Sequence, residues 1–76
     1  MPIREYLGGE KFDPETIRAM GLAFEAVRAG LKIEDQNNIA KQAIAKKIIE
    51  VARQGERDVE RLAERVLAVL RAEGAY

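Results

Sequence analysis

Histidine, cysteine and tryptophan are absent from this chain of 76 residues, and aromatic residues make up only 5% of it. Without cysteine there is no disulfide framework and no thiol nucleophile, so nothing marks a secreted mini-protein. Without histidine the chain lacks the one side chain that titrates unperturbed near neutrality. Together the two absences remove the usual ligands for zinc, copper and haem. Most hydrolase and metalloenzyme designs are thereby excluded. The expectation is a protein that is not an enzyme, with no catalytic residue, no metal and no cofactor. The scarcity of rings also means that any core must be mostly aliphatic.

A surplus of one charge is missing as well. Thirteen basic and thirteen acidic residues cancel to a net charge of 0. A balanced chain has no general field to draw in nucleic acid or anionic lipid. No window approaches the roughly 18 apolar residues needed to span a membrane. The N-terminal residues Met1-Pro2-Ile3-Arg4-Glu5 lack the apolar stretch of a signal peptide. These readings lead to a cytoplasmic protein with no membrane partner.

What the chain does have is a globular balance, 47% apolar and 34% charged. Its length suits one domain and lies near the lower limit for folding alone, which makes self-association a natural source of extra stability. Residues 1–12 carry Pro2, Gly8 and Gly9 and show no periodicity, so they read as an irregular N-terminal arm with Tyr6, Leu7 and Phe12 as apolar handles. Residues 13–74 read as a helical domain.

Asp13-Pro14-Glu15 is a helix start: a capping carboxylate, a proline suited to the first turn, and an acid against the positive end of the dipole. Ile17, Met20, Phe24, Val27 and Leu31 follow at spacings of three and four and share one face. This predicts a helix over about 14–30. After a polar connection, Asp35, Asn37 or Asn38 is suited to cap a second helix over about 38–54, and the pattern does not choose among them. Ala40, Ala43, Ile44, Ile48 and Val51 form its stripe, with Ile39 at the border and Ile49 well off it. Gly55 suits a left-handed cap. Asp58 then opens a third helix over about 58–72, with Val59, Leu62, Ala63, Val66, Leu67, Val69 and Leu70 on a broad apolar face. The fold class is all-α, a three-helix bundle or an orthogonal three-helix array.

The blocks Phe12-Asp13-Pro14-Glu15, Ile44-Ala45-Lys46-Lys47-Ile48-Ile49-Glu50 and Gly55-Glu56-Arg57-Asp58 resemble those of a group of short uncharacterised alphaproteobacterial proteins. The likeness runs over most of residues 12–70. Many of that group have proline after the last aspartate, where this chain has Val59. The resemblance implies a bacterial, cytoplasmic setting and a helical fold, and it carries no activity, cofactor or site.

Two functional readings compete. Apolar residues beyond the main stripes, Leu22, Ile49, Leu67 and Val69, form a candidate interface. Several such residues on a marginal domain point to helix packing against a partner, or to a monomer whose arm covers that surface with Tyr6, Leu7 and Phe12. The expected function is thus a non-enzymatic protein–protein interaction module that binds itself as a homodimer or binds another helical protein. The alternative is a small helix-turn-helix nucleic-acid-binding protein built from the second and third helices. Its contacts would be Arg57, Arg61, Arg65 and Arg71. Glu56, Asp58, Glu60 and Glu64 are interleaved with those arginines and would repel a phosphate backbone, so nucleic acid is the less favoured partner. The run Glu34-Asp35-Gln36-Asn37-Asn38 offers oxygen ligands but lacks the length and glycine of a calcium loop, so helix capping is the better reading.

Overall fold

A computed structural model describes residues 6–9 and 11–74. Three helices occupy most of them: α1 over Pro14–Gly30, α2 over Asn38–Arg53 and α3 over Val59–Ala72. Each helix packs against both others, so the fold is a three-helix bundle. Among the described residues there is no strand, and no helix is long and apolar enough to cross a membrane.

Each helix begins on a short polar side chain that accepts a backbone N–H from the first turn. Asp13 accepts from Thr16 at 2.7 Å, Asn37 from Ala40 at 3.1 Å and Asp58 from Arg61 at 3.0 Å. Of the three candidates for α2, Asn37 takes the role, and Asp58 stands just before α3 rather than within it. Such caps satisfy amides that the helix itself leaves open.

Two of the helix ends share one geometry. At α2 the Gly55 amide bonds Ala52 O at 3.0 Å and the Glu56 amide bonds Val51 O at 3.4 Å. Gly55 sits at φ 105°, a conformation that a side chain resists. At α1 the same pair of bonds runs from Lys32 to Ala29 O and from Ile33 to Arg28 O. The left-handed residue there is Lys32, at φ 56°, rather than a glycine. Ile33 is buried just beyond it, and Arg28 Nη1 donates to the Ile33 carbonyl at 3.1 Å. A buried side chain and a charged hydrogen bond hold a turn that lacks glycine.

The core is aliphatic apart from one ring. Met20, Phe24 and Val27 of α1, Ile44 and Ile48 of α2, and Leu62 and Val66 of α3 are fully enclosed. Thr16 is the buried polar residue among those described, and no buried side-chain N or O lacks a hydrogen-bond partner. At the surface Lys47 joins Glu73 at 3.1 Å, linking α2 to the end of α3. That hydrogen bond holds the Lys47 ammonium above its ordinary pKa.

The irregular arm is part of this packing. Of the span 1–12, residues 1–5 and 10 lie outside the described residues. Tyr6, Leu7 and Phe12 are half-buried and packed against the core. The Tyr6 ring stacks on Phe24 with centroids 6.2 Å apart and planes 27° apart, a favourable offset arrangement for two rings.

Candidate interaction surface

Helical geometry sets which parts of α2 face outward. At about 100° per residue, the enclosed side chains from Ala40 to Ala52 cover roughly half the circumference of α2. That arc is wider than two helix neighbours need, because the arm covers a third sector. Ile49 lies in that sector. It is only 6% exposed, and it lines two adjoining hollows with Tyr6, the second also with Leu7.

The outer face of α2 beside the arm forms an open groove of about 400 Å³, lined by Tyr6, Ile39, Gln42, Ala43, Lys46 and Ile49. Ile39 stands at its end and is 83% exposed. The groove continues into a smaller hollow of about 240 Å³ toward Glu50 and Arg53. Lys46 supplies a cationic group within an otherwise largely apolar wall.

The four residues expected to make one interface do not come together. Ile49 is the clearest correction: the arm encloses it inside its own chain, so it is a core residue. Leu67 and Val69 are two positions apart on α3, hence about 160° apart around its axis, on opposite borders of the buried stripe. Leu67 packs on the core and lies over the end of α1, its methyls 3.9 and 4.0 Å from where a Cβ on Gly30 would stand. Val69 is half-buried on the other border. Leu22 alone is well exposed, at 51%, on the outer face of α1. Ile39, at the border of the α2 stripe and outside the expected interface, is the more exposed side chain. Tyr6, Leu7 and Phe12 mark the arm as able to cover spare apolar surface, but the pattern does not say that Ile49 is the residue it covers.

The four arginines of the alternative reading are exposed, but two are engaged within the chain. Arg57 Nη1 donates to the carbonyls of Ala52 at 2.6 Å and Glu56 at 2.9 Å, closing the end of α2. Arg65 reaches back to the Gln54 amide oxygen at 2.5 Å and to Glu56 at 3.5 Å. Arg61 and Arg71 have no ion-pair partner among the described residues. They stand ten residues apart on α3, interleaved with Glu60 and Glu64.

A polar hollow of about 280 Å³ lies between the start of α1 and the α2–α3 turn, lined by Asp13, Glu15, Thr16 and Arg57. The Thr16 side chain, and then its amide, hydrogen-bond Asp13 and hold its carboxyl below the ordinary value. That perturbation belongs to a helix cap. With the geometry described, comparison with known proteins adds nothing to it: no family model, no curated protein and no solved structure matches this chain.

Proposed function

We propose that this chain is a non-enzymatic protein–protein interaction module that works by self-association through the outer face of α2. The observation that carries this reading is Ile39. A side chain 83% exposed at the end of an apolar groove has no role in the chain's own core. Scattered exposed aliphatics need no explanation. This one adjoins Ala43, the Tyr6 ring and the stem of Lys46, which together make a contiguous surface of the kind that partners cover.

The size of the surface sets the strength of binding. A standard stable interface buries about 800 Å² on each partner, roughly a sixth of the 4894 Å² this chain exposes. One face of a helix of 16 residues falls short of that. Association is therefore weak and dependent on concentration.

Sedimentation equilibrium between about 10 µM and about 1 mM tests the proposal across the range of weak affinities. The weight-average mass is expected to rise with concentration for the native chain and to stay monomeric for Ile39→Lys. A native chain that remains monomeric throughout refutes it.

A further inference from the structure

Among the described residues, two large aliphatic side chains remain exposed, Leu22 on α1 and Ile39 on α2. Each has an ionic group seven residues away on its own face. Glu15 precedes Leu22 by seven, and Lys46 follows Ile39 by seven. Seven residues are nearly two full turns, so each pair lies on one line along its helix about 10.5 Å apart. Neither Glu15 nor Lys46 has an ion-pair partner among the described residues. The two faces thus carry an aliphatic contact and opposite charges at the same separation.

We infer that the occupant of the α2 groove is α1 of a second copy, packed antiparallel, with Leu22 against Ile39 and Glu15 against Lys46. This rests on the self-association reading above. The direction is determined by the charges. An antiparallel register that pairs Leu22 with Ile39 brings Glu15 opposite Lys46. A parallel register would place Ala29 opposite Lys46 and Lys32 beyond the end of the contact. The antiparallel register also sets Arg18 across from Ala43 and Gln42, where a small side chain leaves room and an amide oxygen accepts from a guanidinium.

A two-fold pairing of α2 with itself is less satisfactory. Centred on Lys46, it opposes like charges. Centred on Ile48, it matches Lys46 with Glu50, which already has Lys47 at 3.5 Å, and it carries Ile39 past the end of the partner helix. The α1–α2 contact uses different surfaces on the two copies, so it is heterologous and runs head to tail. Each copy that has joined through α1 still offers its own groove.

That asymmetry provides the test. Leu22→Lys blocks the α1 face and Ile39→Lys blocks the groove. Both replace exposed side chains, and circular dichroism verifies that the helices persist. Each variant alone is expected to sediment as a monomer, weakened roughly tenfold or more. An equimolar mixture is expected to form dimers and nothing larger, because one intact α1 face and one intact groove remain. Lys46→Glu is expected to weaken association roughly two- to fivefold, and adding Glu15→Lys in the same chain is expected to restore it. Association of Leu22→Lys at native strength, or a mixture that stays monomeric, overturns the head-to-tail contact while leaving self-association standing. Failure of Glu15→Lys to restore Lys46→Glu overturns the antiparallel register. A native chain that never associates removes both proposals.

Discussion

Replacing Ile49 with alanine distinguishes a core residue from an interface residue. The side chain is 6% exposed and is enclosed by Tyr6, by Leu7 and by its own helix. Isoleucine-to-alanine changes in buried sites cost about 2–5 kcal/mol, the spread reflecting how far the surroundings collapse. Here the site borders hollows of about 400 and 240 Å³. Water reaches its edge, and the arm can settle into the space. The cost therefore belongs near the lower end, about 2–3 kcal/mol. For a domain of this size that lowers the melting temperature by about 10–20 °C. The assay is thermal and urea unfolding followed by circular dichroism, at a concentration where the chain is monomeric. Leu22→Ala serves as the control, expected within about 0.5 kcal/mol of the native chain. Because Tyr6 forms the cover, Ile49→Ala and Tyr6→Ala are also expected to couple by more than about 0.5 kcal/mol in a double-mutant cycle. An Ile49→Ala variant no less stable than Leu22→Ala would refute the claim that the arm makes Ile49 part of the core.

Two further outcomes concern the ends of the helices. Asp13→Ala removes the cap of α1 and is expected to destabilise the fold. Because the folded carboxyl titrates below its ordinary value, its contribution is fully present above about pH 4 and is lost as pH falls through the depressed value. Unfolding of the native chain and Asp13→Ala, compared from pH 7 downward, should show the difference between them shrink on acidification. Gly55→Ala places a Cβ at φ 105° with nothing within 4 Å to clash. Its cost is purely conformational and is expected to exceed about 1 kcal/mol in the same unfolding assay. Gly30→Ala, in the right-handed helix with ordinary van der Waals contact to Leu67, provides the contrasting case.

The helices were legible because their causes are local. Asp13, Pro14 and Glu15 start α1 through groups within one turn, and Gly55 ends α2 by a backbone conformation of its own. The stripes of Met20, Phe24 and Val27, of Ile44 and Ile48, and of Leu62 and Val66 follow from a repeat of 3.6 residues and need no knowledge of the neighbours. The left-handed turn at Lys32 was not legible, since no glycine marks it. It depends on Ile33 finding a buried site and on Arg28 reaching the Ile33 carbonyl.

The sequence by itself thus determined an aliphatic three-helix protein with its starts and stops, and an inner face for each helix. It did not determine which residues off those faces are covered. Periodicity assigns side chains to sectors of one helix, whereas exposure depends on what other segment occupies each sector. Ile49 stands well off the stripe of α2, and Ile39 stands at its border. The first is buried because an irregular arm, which has no period to read, stacks Tyr6 on Phe24 beside it. The second stays bare, with Tyr6 in the same groove beside it rather than over it. Leu67 and Val69 differ from this case, since two positions on a helix stand about 160° apart and their separation was already set by the spacing. Only the tertiary packing of a non-periodic segment decided which aliphatic side chains are core and which are left for a partner.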